Sequence, residues 1–225
     1  MIGAPPALFD VGAIRSRTNP TLGVLARDNT LVVLGSTQRV EDLDLVAIAR
    51  DNVAVRRRRG GGGAVLLRPE DCWVELWLPA PTPFEGPNLH STARQVGEWW
   101  AVALDRLGVH CDVHRGAMRN RAEGAIACFA GLGPGELTTA GRKLVGLSQW
   151  RVREGALVSS VIPASPPSDL NGYLANGVAP VPGLASASCL YEALHGVSSA
   201  SVAAAFTSVL VDALDGLHAC NDPFV

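Results

Sequence analysis

The chain has 225 residues, with 19 basic against 21 acidic side chains, 48% hydrophobic residues and 18% charged ones. This composition supplies a real core and excludes a disordered chain; 24 glycines and 15 prolines without a three-residue period exclude collagen. A formal charge of −2 gives no global field toward nucleic acid or anionic lipid, so neither nucleic acid nor a membrane is an expected partner.

No run of about 18 apolar residues is present, and the first residues lack a basic segment followed by an apolar one, so neither a bilayer-spanning helix nor a secretory signal is predicted. The five cysteines (72, 111, 128, 189, 220) are scattered and form no CxxC pair. They read as reduced thiols of a cytoplasmic protein. Length favours one domain over residues 1–225.

In chain order, LVVLG at 31–35 reads as a strand stopped by Gly35, and 41–51 as a short helix with an acidic start. Residues 52–55 and 64–67 read as strands on either side of RRRRGGGG, and 73–78 alternates as a strand with two faces. The clearest helix is 92–107, with a Thr92–Gln95 capping box at its start and Gly108 at its end. Residues 109–115 alternate as a strand, and 125–153 suggests a meander of strands beginning with AIACF. Five prolines between 163 and 183 mark a loop region. A last helix covers 199–214, with Gly216 expected to end it.

Two segments carry most of the chemical signal. In Arg56–Gly63 four arginines precede four glycines, held between strands. Glycine lets the backbone approach a ligand, and arginine neutralises carboxylate or phosphate. A solvated hairpin tip is the plainer alternative. In Gly141-Arg142-Lys143-Leu144-Val145-Gly146-Leu147-Ser148-Gln149 a lysine stands between two glycines. It could meet an anion, but on chemistry alone a hairpin turn at Gly141 with solvated cations reads as well. It is no Walker motif. His110, Asp112 and His114 share a strand face without a further ligand, so no metal site is expected, and no G-x-S-x-G elbow is present.

VRRRRGGGGAVLL resembles the RRxSGGGAV signature of the lipoate-protein ligase and octanoyltransferase family. GRKLVGLSQ resembles that family's G-[RK]-K-[IV]-x-G-x-[AS]-Q, and LVVLGSTQ, with Gln38, resembles its upstream strand; order and spacing agree from about residue 30 to 160. The resemblance implies an α+β fold, a mixed and largely antiparallel sheet with helices packed on it, shared with biotin-protein ligases. It implies a catalytic domain; the C-terminal accessory domain that the family's ligases often carry is not expected within 225 residues. The family's acyl and nucleotide contacts carry over to Gln38, Arg57, Arg58, Gly61, Gly62, Gly63, Ala64, Gly141 and Gly146. Lys143 carries over as the catalytic residue aimed at the acyl carbonyl, where a cation stabilises developing negative charge. The family serine ahead of GGG is Gly60 here, and the pair after GGGAV is Leu67-Arg68.

Cys128, fifteen residues before Lys143, resembles the cysteine of the octanoyltransferase branch; on its residues alone it reads equally as a buried structural thiol. The expected function is therefore transfer of a lipoyl or octanoyl group to a lysine of a lipoyl-carrier domain, of a 2-oxoacid dehydrogenase or a glycine cleavage protein. The first route is ATP-dependent, with magnesium, through acyl-AMP. The alternatives are an ATP-independent transferase that uses Cys128 as acyl-thioester nucleophile, and a non-catalytic binding module.

Overall fold

The computed structural model describes residues 11–81, 88–175, 178 and 180–220. Its elements in order are α1 (Val11–Arg15), β1 (Thr21–Val24), β2 (Leu31–Leu34), α2 (Leu45–Arg50), β3 (Ala54–Arg57), β4 (Val65–Leu67), β5 (Cys72–Pro79), α3 (Leu89–Asp105), β6 (Asp112–Val113), α4 (Arg121–Ile126), β7 (Leu137–Thr139), β8 (Arg142–Val152), β9 (Gly155–Ile162), α5 (Leu190–Ala193) and α6 (Ser199–Cys220). Short 3-10 segments cover 40–42, 128–130, 167–173 and 182–186.

The strands form a six-stranded sheet, ordered β1-β5-β9-β8-β7-β6, and a three-stranded sheet, ordered β3-β2-β4. Every pairing in the larger sheet is antiparallel; in the smaller one β2 runs parallel to β3 and antiparallel to β4. This is the α+β architecture expected.

β5 is buried at all eight positions, so its alternation separates two packed faces rather than core from solvent. Cys72, Val74, Leu76 and Leu78 pack with Val96, Trp100 and Leu104 of α3 and with Phe206 and Leu210 of α6. Trp100 stacks on Phe206 with ring centroids 4.0 Å apart. On the other face Trp73 joins the core of the smaller sheet with Val32, Leu34, Val65 and Leu67.

Several element boundaries differ from the sequence expectation. α3 begins at Leu89, because the Asn88 side chain accepts from the backbone N–H groups of His90 and Ser91; Thr92 is already inside the helix and buried. α2 is capped by Asp44, and the residues before it form a 3-10 turn. The strand expected over 109–115 is only Asp112–Val113. AIACF is not a strand: it is the end of α4 followed by a 3-10 turn at Cys128–Ala130. α6 continues through Gly216 to Cys220, since an isolated glycine costs a helix only about 1 kcal/mol.

Candidate active site

The Gly-rich segment leaves β3 and returns as β4, wrapped around its own arginine. Arg58 is buried, and its guanidinium donates to the carbonyls of Gly61 and Gly63, both at 2.8 Å. Its Nε is buried and without a hydrogen-bond partner. Burial lowers this guanidinium from its ordinary value, while Cys128 and Glu136 beside it act in the opposite sense. Arg57 points to the other side and donates to the carbonyls of Gly35 and Gln38. Gln38 in turn accepts from the Gly35 N–H and donates to the Ile126 carbonyl at 2.9 Å. Arg57 and Gln38 thus brace the loop rather than line the same space as its glycines.

The loop is tied directly to the cysteine segment. Ala64 and Ala127 form a parallel bridge, with Ala64 N–H donating to the Ile126 carbonyl at 2.9 Å and Cys128 N–H donating to the Ala64 carbonyl at 2.8 Å. A Cβ on Gly63 would stand 2.5 Å from the Ala127 nitrogen, so only glycine permits this approach. A Cβ on Gly60 would stand 3.0 Å from the Ser148 hydroxyl and 3.2 Å from the Gln149 backbone, which accounts for glycine where the family signature has serine.

A cleft of about 420 Å³ opens between these parts, lined by Arg58, Gly61, Gly62, Gly63, Cys128, Glu136, Leu147, Ser148 and Gln149, with Leu89, His90, Ala93 and Met118 among its other walls. Arg58, Cys128, Leu147 and Ser148 also line a narrow apolar recess of about 20 Å³ that ends at Val65, Trp73 and Val161. The Cys128 thiol lies above Gly146, where a Cβ would come within 3.4 Å of the sulfur. Among the four cysteines with described side chains, Cys128 is the one that is not buried. Burial pushes the Cys72 thiol up to about 12 and the Cys111 thiol up to about 11, and raises Cys189, which leaves these three inert at neutral pH.

Lys143 stands elsewhere. Its ammonium donates to the carbonyls of Cys128 at 2.7 Å and Gly131 at 2.9 Å, and pairs with Glu136 Oε2 at 2.7 Å. The side chains of both partners are nearly inaccessible, at 5% and 7% exposure. Lys143 lines a second cavity of about 470 Å³, with Arg119, Asn120, Thr138, Gly141 and Ser186. Gly141, with φ of +75°, forms the two-residue turn between β7 and β8 together with Ala140, whose φ is +49°.

Three contributors to these cavities were not singled out from the sequence. Glu136 closes the GLGPGE stretch, Gln149 ends the GRKLVGLSQ motif, and Arg119-Asn120 lies in a segment without a recognisable pattern. Among the described residues no group of three His, Cys, Asp or Glu side chains could hold a metal ion, and no helix is long and apolar enough to cross a membrane.

Residues 11–210 match the lipoyl protein ligase A/B catalytic domain. The chain belongs to that family. No curated protein matches the sequence. Among solved structures, a putative lipoate protein ligase from T. acidophilum with bound lipoic acid is 16% identical, with a TM-score of 0.72 over 96% of this chain and 85% of that one. Lipoate-protein ligase A bound with ATP is 18% identical, with a TM-score of 0.70 over 87% and 73%. P. falciparum LipL1 in complex with lipoate is 17% identical, with a TM-score of 0.64 over 86% and 49%. At these identities the likeness establishes the lipoate-protein ligase catalytic fold, which is the fold the signatures implied.

Proposed function

We propose that this protein transfers an octanoyl- or lipoyl-type acyl group to a lysine of a lipoyl-carrier domain, and carries it on Cys128 as a thioester. The observation behind this reading is the shared cleft: Cys128 lines it with Gly61–Gly63, whereas Lys143 lines a separate cavity and is engaged with Glu136. The family match and the lipoate-bound relatives support the acyl class, and a T. acidophilum ligase determined with its E2 lipoyl domain supports the acceptor class.

In the first step the Cys128 sulfur attacks the carbonyl of an acyl-carrier thioester. A C–S bond forms to Cys128, the bond to the carrier sulfur breaks, and the carrier thiol leaves with the proton of Cys128. In the second step the acceptor lysine amine attacks the Cys128 thioester, an amide forms, and the thiol is restored. The negative charge on the carbonyl oxygen at each tetrahedral stage needs a fixed donor. Arg58 Nε, buried at the cleft and without a partner, is the N–H available to it. Lys143 holds the carbonyls of Cys128 and Gly131, and so fixes the shape of the loop that carries the nucleophile.

The ATP route is the second reading, and the cavity around Lys143 favours it. Arg119 and Lys143 supply the positive lining that the phosphates of ATP with its magnesium would require, and the acyl carboxylate would displace pyrophosphate to give acyl-AMP.

Mass spectrometry after incubation with octanoyl-carrier thioester separates the two. The expected result is one octanoyl group on Cys128, lost in Cys128→Ser. A Cys128→Ala variant that still transfers lipoate with ATP and releases pyrophosphate, with no adduct on the wild type, would overturn the thioester reading. Absence of both reactions would leave a binding module.

A further inference from the structure

Gln149 carries an unusual burden. It lies on β8 opposite Val158, in the wall of the cleft that Cys128 and the glycines share. Its Oε1 and Nε2 are both shielded from solvent, and neither has a hydrogen-bond partner. The large majority of buried side-chain polar atoms are paired, and an orphaned amide is destabilising relative to a paired one. An apolar side chain of the same shape would remove that penalty. A primary amide left without a partner in the wall of a binding cleft implies that its partner arrives with the ligand.

The chemistry of that partner follows from the amide itself. Nε2 donates and Oε1 accepts, side by side. A carboxylate or phosphate only accepts and would leave Oε1 unpaired; an alkyl chain offers neither. A complement that satisfies both atoms is an N–H and a C=O presented on the same side, as the two successive amides that flank one residue of an extended backbone, or one spacer of a pantetheine arm, present them. The acyl chain contains no such group. It belongs to whatever brings the chain in or takes it away: the pantetheine arm of a donor thioester, or the backbone beside the acceptor lysine.

We infer that Gln149 recognises an N–H and a C=O from successive amides of the substrate and so aligns the thioester or the incoming lysine against Cys128. The inference rests on the thioester reading above. It makes Gln149 a positioning residue, since its amide touches the carrier and not the reacting carbonyl.

The test uses Gln149→Met, which keeps the length and removes the amide, with each half-reaction followed separately. Acylation of Cys128 is measured with an octanoyl-pantetheine thioester and with octanoyl-mercaptoethanol, a thioester without an amide; discharge is measured by adding a lipoyl-carrier domain. The expected result is a Tm equal to or above wild type, because an orphaned pair has gone, together with a roughly ten- to hundredfold loss of kcat/KM in one half-reaction. A loss confined to the pantetheine donor, and under about twofold for mercaptoethanol, assigns the amide to the donor arm. A loss confined to discharge assigns it to the acceptor backbone. Unchanged rates in both half-reactions overturn the inference, as does a Tm several degrees lower with equal losses for both donors. A wild type that never acquires the adduct overturns the thioester reading, and this role for Gln149 with it.

Discussion

Glu136 has three partners, and all of them donate. Its Oε2 accepts from the Gly133 N–H at 2.6 Å and from the Lys143 ammonium at 2.7 Å; its Oε1 accepts from the Leu147 N–H at 3.0 Å. A carboxylate satisfies every one, whereas an amide must turn an NH2 toward a donor. Glu136→Gln should therefore destabilise the protein by about 3 kcal/mol, on the order of 10 °C in Tm, because it leaves the buried Lys143 charge uncompensated. Thermal unfolding by circular dichroism checks this, and a Tm within about 2 °C of wild type would show that the pair does not organise the loop. Asp71 works in the opposite direction. Burial pushes its carboxyl up to about 6, with hydrogen bonds from the Ala164 and Arg68 N–H groups only partly opposing the rise. An acid whose folded value lies above its unfolded value of about 3.9 holds its proton more tightly when folded. Its contribution to stability is fully present below about pH 4 and is lost as the pH rises through about 6. The whole span is on the order of 3 kcal/mol. Carboxyl-carbon NMR should show a midpoint near 6 for Asp71; a midpoint at 4 or below would remove the effect.

At the scale of elements, the β7–β8 hairpin decides where the lysine stands. Thr139 pairs with Arg142, which leaves Ala140 and Gly141 as a two-residue turn with both φ values positive. This geometry matches the twist of the strands, and it suits Asn-Gly best. Alanine at φ of +49° is strained there. Ala140→Asn should relieve the strain and raise stability by about 0.5–1 kcal/mol, read as a rise of roughly 1–4 °C in Tm with unchanged transfer activity. A fall in Tm would mean that the turn adopts another form. The same hairpin explains why Lys143, one residue past the turn pair, projects toward the cysteine loop: its backbone register with Thr138 is set by the turn.

For the molecule as a whole, the decisive junction is the one between the two sheets. The smaller sheet delivers the glycines and the larger one delivers β8, and the Ala64–Ala127 bridge holds both against the Cys128 turn. Gly63 makes that approach possible. Gly63→Ala would drive a methyl group to within 2.5 Å of the Ala127 nitrogen, so the backbone must part. The expected outcome is a loss of about 2 kcal/mol or more in denaturant stability together with slower acylation of Cys128, since nucleophile and loop separate. Wild-type stability and acylation in this variant would show that the bridge is incidental. Gly61 provides a comparison, because a Cβ there meets nothing within 4 Å.

The amino-acid sequence by itself determined the family and the α+β class, and it pointed to the segments that build the candidate site. Glycines that permit a close approach and a lysine at a constant distance from them are local, ordered signals, and they survive in RRRRGGGGAV and GRKLVGLSQ without any knowledge of packing. Strands 31–34 and 65–67, and the helices around 92–105 and from 199, were legible for a related reason: their periodicity is imposed by burial of one face or both, whereas the strand expected at 52–55 is Ala54–Arg57 and takes in two of the loop's arginines. Only the tertiary structure decided the rest. AIACF has the β-branched and apolar look of a strand, yet the Ala64 bridge and the packing of Phe129 against Gly146 turn it into a helix end and a 3-10 turn. Asn88 outcompetes Thr92 as a cap because Thr92 is buried among the helix contacts. Whether Lys143 or Cys128 shares the cleft with the glycines depends on a single side-chain direction across the 128–136 loop. Sequence spacing does not encode it, because the Glu136 carboxylate that pairs with the lysine acts through space, from the residue just before β7.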